Sequence, residues 1–489
     1  MLQGRSRETR DGRPYTFIVG VSELSSIVID KPRLFSYISS DRESETKPTK
    51  EKWTEVRPYF PTFDKGQMER RSGMKGEAEK RYREREKRFD DIVALRPPDK
   101  VPIMVSWGFL PAFQDGMTIQ DVMYDPEKLW TSQWKITLEF QPDMEQNPYA
   151  LRFLGPVLER LDYRMLKWAG HGLGPNTTYQ FIEGEYMKAD EYDWFLDDPS
   201  DFMFRHHLPV MCGRLKALET LPPLRNFISY SRGIPFDLIP FASAEMAEAF
   251  NILREAGSEA KRLATYSARF AERAKEEGFP LQFGSMTQAP FDMLGDFLRG
   301  TRGLMLDMYQ RPEKVVKACE KLLPYMVDWG VKPAKASGNP RVFIPLHKGL
   351  DGFMSPEQFK RFFWPTLREL MVVLIREGLV PCPFWEGNCE SRLEVIKDIP
   401  AGKACYKFEA TDMAKAKKAL RDTVCIRGNV PLSLLVAGTP DDVRAYCKRL
   451  IDTAGKGGGL ILDAATGLDD AKIENVRAMF DFTREYGVY

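Results

Sequence analysis

Val380-Pro-Cys-Pro-Phe-Trp-Glu-Gly-Asn-Cys389 is the stretch that decides the fold. An apolar run stops at Glu386, a Gly387-Asn388 turn follows, and a cysteine closes it. Unbroken apolar character, without alternation, marks a strand covered on both faces, as in a parallel sheet. A carboxylate at the end of such a strand, beside a turn, stands where α/β proteins place their chemistry.

The same design recurs on both sides. Arg341-Val-Phe-Ile-Pro-Leu346 ends at His347, and Ala404-Cys-Tyr-Lys-Phe408, Thr423-Val-Cys-Ile-Arg427 and Gly459-Leu-Ile-Leu-Asp463 follow downstream. Leu281-Gln-Phe-Gly-Ser-Met286 and Val101-Pro-Ile-Met-Val-Ser-Trp107 read as strands upstream. Helical segments separate them. Ser355-Pro-Glu-Gln358 carries a cap, a first-turn proline and a capping-box glutamine. Phe359, Phe362, Phe363, Leu367, Leu370 and Leu374 then share one helix face, with a kink expected at Pro365. Repeated strand–loop–helix units predict an α/β fold, a (β/α)8 TIM-type barrel with an N-terminal extension and additional helices. Residues 118–165 and 190–275 read as mainly helical, the latter interrupted around 233–240. No strand is followed by a GxGxxG fingerprint, and no GxxxxGK[ST] loop occurs.

The expected division is an extension over 1–87, partly disordered or peripheral, and a barrel over 88–489. Residues 1–65 include the polar run Asp41-Arg-Glu-Ser-Glu-Thr-Lys-Pro-Thr-Lys-Glu51. Gly76 to Leu95 reads as a solvated, charged helix leading into the fold. Lys+Arg of 71 against Asp+Glu of 70 gives no footprint for nucleic acid. Mean hydropathy of −0.39 and the lack of a spanning apolar run argue against a membrane protein. Seven cysteines without framework spacing, and no CxxC pair, suggest a reducing compartment and hence the cytoplasm.

Loops after the strands of a barrel form its active face. That singles out Trp107, Met286-Thr-Gln288, His347, Glu386, Cys389, Lys407, Glu409, Arg427, Asn429, Asp463 and Thr466. His347 offers a zinc ligand or a base near neutrality, against a plain hydrogen-bonding role. Glu386 offers a metal ligand or a proton-handling carboxylate, against a structural anion. Cys389 is a thiolate ligand or a small buried hydrophobe. His347, Glu386 and Cys389 together would make an open zinc set. His206-His207 reads as packing, His171 as a weak pocket candidate, and Cys382, Cys405 and Cys425 as core.

The order of motifs from about residue 88 onward resembles the uroporphyrinogen decarboxylase superfamily, which includes zinc-dependent, corrinoid-linked methyltransferases. The stretches that carry the resemblance are Pro98-Asp-Lys-Val-Pro102, Ala289-Pro-Phe291 with Phe297-Leu-Arg-Gly300, Ser355-Pro-Glu-Gln-Phe359, Glu386-Gly-Asn388, Arg427-Gly-Asn-Val-Pro431 and Ala465-Thr-Gly467. The methyltransferases carry His-x-Cys-Gly-Asn where this chain has Phe384-Trp-Glu-Gly-Asn388, and a later cysteine where it has Thr466. True uroporphyrinogen decarboxylases carry Arg-Gln-Ala-Gly-Arg-Tyr where this chain has Ser106-Trp-Gly-Phe-Leu-Pro111. The resemblance therefore implies a relative that is not a true uroporphyrinogen decarboxylase. It implies a corrinoid (cobalamin)-dependent methyltransferase acting on a small O-methyl or N-methyl compound. Glu386 and His347 would be catalytic, with zinc at a rearranged site of His347, Glu386 and Cys389. Trp107 and Trp385 would wall the pocket, and Arg427, Asn429, Asp463 and Thr466 would bind substrate. The expected partners are a methyl donor and a separate corrinoid protein, with a homodimer left open and no nucleic acid or membrane. Two other readings stand beside it: a metal-free decarboxylase or lyase on a non-porphyrin acid, in which Arg427, Lys407 and Asp463 orient charge, and a non-catalytic barrel that binds a corrinoid or folate partner.

Overall fold

The computed structural model describes residues 76–149, 154–231 and 233–489. The polar run at 41–51 lies outside them. A small sheet, β1 (Leu166–Ala169), β2 (Gly172–Leu173) and β3 (Gln180–Phe181), precedes the main one. The main sheet is six-stranded, in the order β4 (Ser285–Met286), β5 (Arg341–Leu346), β6 (Val380–Trp385), β7 (Cys405–Phe408), β8 (Cys425–Arg427) and β9 (Leu460–Ile461). Every pairing in it is parallel. The runs over 341–346 and 380–385 form strands over their full predicted length. The runs at 101–107 and 281–286 form less: parallel bridges link Ile103 to Leu462, Met104 to Met144 and Glu145 to Leu281. Pro102 lacks an N–H, and the ladder there shrinks to single bridges.

Longer helices surround the sheet. They include α1 (Gly76–Val93), α2 (Pro126–Phe140), α3 (Ala244–Glu276), α4 (Gly300–Gln310), α5 (Pro312–Ser337), α6 (Trp364–Arg376), α7 (Pro440–Leu450) and α8 (Ile473–Tyr486). The capping box forms as predicted, Ser355 accepting from the Gln358 N–H. Pro365 lies inside a helix that continues from Pro356 to Arg376, directly after a π-helical turn over Phe359–Phe363, a local departure from α-helical bonding where the proline lacks an N–H. The main core lies between sheet and helices and includes Ile344, Leu346, Leu367, Leu370, Val443 and Phe480.

The inner faces of the strands make a second core. Met104, Met144, Cys382, Cys405, Cys425 and Ile461 cluster with Phe89, Ile92 and Val93 of α1. The reading of 76–95 as a solvated helix is corrected by this. One face of α1 seals the amino-terminal ends of the strands, and each large apolar side chain buried there contributes on the order of 1.5–3 kcal/mol. Arg341 at the start of β5 clamps it, donating 2.8 and 2.9 Å hydrogen bonds to Glu86. The helix runs unbroken through residue 87, so the expected division there falls inside one element.

Candidate functional site

The carboxyl-terminal ends of the parallel strands bring the predicted residues together. Leu346 pairs with Trp385, so the next residues, His347 and Glu386, leave adjacent strands at one level. His347 Nε2 lies 3.7 Å from Glu386 Oε1, and the two side chains keep 32% and 36% of their surface accessible. Gly387 then turns with φ +70°, a conformation that costs glycine nothing. Its N–H donates to Glu409 Oε2 at 2.6 Å, fixing the turn against the end of β7.

Two aspartates hold His347 from behind. Asp292 belongs to a short helix, Pro290–Met293, and Asp296 to the π-helical turn Leu294–Leu298 that continues it. Asp292 is fully buried and accepts the backbone N–H groups of His347 (3.0 Å) and Lys348 (2.9 Å). Asp296 Oδ2 meets His347 Nδ1 at 2.6 Å, while its other oxygen pairs with Lys348 Nζ. An ionised carboxylate only accepts, so Nδ1 carries a proton and Nε2 is the nitrogen turned toward Glu386.

The charges follow from this arrangement. Burial works against the imidazolium, but the Asp296 hydrogen bond and the charges of Asp292, Asp296 and Glu386 outweigh it, raising His347 to about 9. Burial, then the neighbouring Asp296 charge, pushes the Asp292 carboxyl up. Burial opposes ionisation of Asp296 too, yet its bonds to His347 and Lys348 hold it below the usual range. Burial raises Glu386, with His347 opposing. At neutral pH the site therefore presents a protonated imidazole beside a carboxylate of weakened acidity.

Deeper along the strands lies an ion cluster. Asp463 Oδ2 accepts from Lys407 Nζ and Arg427 Nε, each at 2.7 Å. Arg427 also donates to Gln282 Oε1 (2.8 Å), and Gln282 donates to the Val105 carbonyl (2.8 Å). Lys407 Nζ sits 4.7 Å from the centre of the Phe384 ring, and burial lowers its pKa. Asp463 Oδ1 is buried with no hydrogen-bond partner among the described residues.

Other expectations need correction. Trp107 and Trp385 have no accessible surface and cannot wall a pocket. Trp107 stacks on Phe480 and donates to Glu145, whereas Trp385 lies against Phe359 and Tyr406. Cys389 is buried, its thiol turned to the Glu386 carbonyl at 3.8 Å and raised to about 12 by burial. Among the described residues no three His, Cys, Asp or Glu side chains are arranged to hold a metal ion. His347 and Glu386 meet, but Cys389 does not complete a ligand set with them, because its thiol is turned to the Glu386 backbone carbonyl. The Asn429 amide donates to the carbonyls of Glu409 and Thr411, so it ties down a loop and has no donor left for substrate. The Thr466 hydroxyl turns to the Gly467 carbonyl at 3.4 Å. His207 is buried and lowered to about 4 by burial, and His171 stacks on Trp168, both packing roles.

Asp292, Asp296, Lys348 and Gln282 were missed. A signal existed for the aspartates: they stand four apart between Ala289-Pro-Phe291 and Phe297-Leu-Arg-Gly300, on one face of a helix directly after a strand.

Comparison with known proteins bears on family and fold. The chain is similar to uroporphyrinogen decarboxylases from Chlorobium phaeobacteroides (23% identity over 186 residues, 37% of this chain and 52% of that protein) and Psychromonas ingrahamii (30% over 139 residues, 27% and 38%). It spans about half the length, or less, of the curated relatives it matches. A solved methyltransferase from Methanosarcina mazei shares the fold, with a TM-score of 0.54 at 15% identity over 82% of this chain and 98% of that one. The sequence pattern of the uroporphyrinogen decarboxylase (URO-D) family matches residues 236–486, more than half of the 489. The chain belongs to the URO-D family.

Proposed function

We propose that this chain is a methyltransferase that removes a methyl group from a small O-methyl or N-methyl compound. We take its eight parallel segments, the six strands together with residues 101–105 and 143–146, as one closed (β/α)8-type barrel with the site at its mouth. The observation that carries the reading is His347, held charged by Asp296 with Nε2 turned toward Glu386. When a methyl group departs, the heteroatom left behind gains negative charge and needs a proton. His347 supplies it from Nε2, and Asp296 stabilises the charged imidazole beforehand. Glu386 orients the donor and shares the proton. A corrinoid carried by a separate protein would be the methyl acceptor. Among the described residues zinc finds no set of three ligands, and the proton transfer above needs none.

The test is methyl transfer from a panel of O-methyl and N-methyl compounds to a free reduced corrinoid, with His347→Gln and Glu386→Gln as variants. The expected result is transfer that both variants reduce by ~10²-fold or more. Full activity in both variants would sink the mechanism.

The ion cluster favours a second reading. Lys407 and Arg427 face the single charge of Asp463, which leaves one excess positive charge suited to a substrate carboxylate. A metal-free decarboxylase acting on a non-porphyrin acid would use it. Release of carbon dioxide without methyl transfer would favour that reading.

A further inference from the structure

Side chains along a strand alternate between its two faces. Val342, Ile344 and Leu346 of β5 and Trp385 of β6 belong to the outer core, so Phe343 and Phe384 point to the inner side of the sheet. Tyr406, Phe408, Ile426 and Leu462 lie in the same outer core, which turns Lys407, Arg427 and Asp463 inward as well. Phe283, just ahead of β4, joins them, its ring centre 4.9 Å from that of Phe343. One layer below, Cys405 and Cys425 are buried, whereas Phe283, Phe343 and Phe384 are only half-buried. The interior is filled beneath these rings, and the rings keep a face toward the strand ends where His347 and Glu386 stand.

The inner surface at this level has two halves. Three phenylalanines make one, and Lys407, Arg427 and Asp463 make the other. The halves face each other: Lys407 Nζ lies 4.7 Å from the centre of the Phe384 ring, and Arg427 Cζ 5.9 Å from that of Phe283. The charged half is not neutral, because two cations share one carboxylate. Among the described residues Asp463 is the only ion partner of Lys407. Arg427 spends Nε on Asp463 and Nη2 on Gln282, and its Nη1 makes no hydrogen bond among those residues. The next inward carboxylate on β6, Glu386, is engaged with His347. Buried excess charge costs free energy until an anion meets it.

We infer that this surface takes an aromatic monocarboxylate, its carboxylate on Lys407 and Arg427 Nη1 and its ring against the phenylalanines. An aliphatic acid would meet the cations and leave the rings bare, and a neutral arene would leave the charge unmet. The dimensions agree. Lys407 pairs with Phe384, and Glu386 stands two residues further along β6, a step of about 7 Å at the rise of a parallel strand. A benzene ring spans much the same distance between a carboxylate and a heteroatom para to it. A ring acid seated this way brings a para methoxy or methylamino group to His347 Nε2. The inference names the substrate class of the methyl-transfer site proposed above, and it rests on that reading only for the group placed at His347.

The experiment is isothermal titration calorimetry of the full chain with 4-methoxybenzoate, benzoate, acetate and the neutral 4-methoxybenzamide. Both benzoates are expected to bind, and acetate and the amide to bind at least ~10-fold more weakly, since each lacks one half of the recognition. Lys407→Met should weaken 4-methoxybenzoate by at least ~10-fold and leave the amide unchanged. Phe384→Leu, which keeps every charge, should weaken both, and it carries the test if circular dichroism shows Lys407→Met unfolded. Equal binding of acid and amide, equal binding of acetate and benzoate, or undiminished binding by folded Phe384→Leu would each overturn the proposal. Failure here is separable from failure of the methyl-transfer reading. Binding of 4-methoxybenzoate without methyl transfer from it leaves the ligand class standing and counts against the reaction. Methyl transfer from another compound, with no benzoate bound, does the reverse.

Discussion

At the scale of single residues, the site turns on one proton. His347 titrates near 9 instead of 6.5 because Asp296 bonds Nδ1 and three carboxylates surround the ring. The folded-state value is raised, so the stability it contributes is complete below about 6.5 and fades as pH rises through about 9. Activity that needs the imidazolium should hold across neutrality and fall on the alkaline side near 9. Asp296→Asn removes the strongest raising influence. The alkaline limb should then move toward neutrality, and the His347 ring signals should titrate lower by NMR, a tractable measurement with only four histidines in the chain. An unmoved limb would show that Asp296 does not govern the proton. His347 and Glu386 were legible in the sequence because strand-end position alone marks them. Asp292 and Asp296 showed only their four-residue spacing, because their role depends on a helix packing back against a strand end more than 50 residues away in sequence.

At the scale of elements, the π-helical turn Leu294–Leu298 aims Asp296, and Gly295 makes room for it. A Cβ at Gly295 would stand 2.6 Å from Lys348 Cε and 2.7 Å from Leu304 Cδ2. Gly295→Ala should therefore cost about 1–3 kcal/mol of stability by overpacking and lower the His347 pKa by displacing Lys348 and Asp296. Urea unfolding read beside the NMR titration checks both. The opposite end depends on α1. Arg341→Met strands Glu86 without its bidentate partner, and the expected loss is about 2–4 kcal/mol, less than for a fully buried pair because Glu86 retains some exposure. Hydrogen exchange should locate the loosening in residues 76–93. Strands β5 and β6 were legible because a six-residue apolar run has few other uses. The buried face of α1 was hidden because Phe89, Ile92 and Val93 stand among charges that dominate its composition. Its buried Arg85 and Arg88 read as solvated until their partners are known.

At the scale of the whole molecule, one carboxylate links strands that lie far apart in sequence. Asp463 follows β9, and it holds Lys407 of β7 and Arg427 of β8. Arg427 passes the connection to Gln282, and Gln282 to the carbonyls of Val105 and Met144. The two edges of the parallel sheet are thus joined through polar side chains in the interior, where bridges at Ile103, Met104 and Glu145 are single residues long. The parallel repeat told of the layers, but no local pattern told that these charges would meet inside. Asp463→Asn keeps the shape and removes the charge. Two buried cations would then face each other without their shared anion, at an expected cost of about 3–5 kcal/mol. Lys407→Met removes one cation from the same cluster and should restore part of the loss when combined with Asp463→Asn. Thermal unfolding of the two single variants and the double variant measures that coupling. Strictly additive losses would mean that Asp463 and Lys407 act independently and that the cluster does not bind the sheet into one unit.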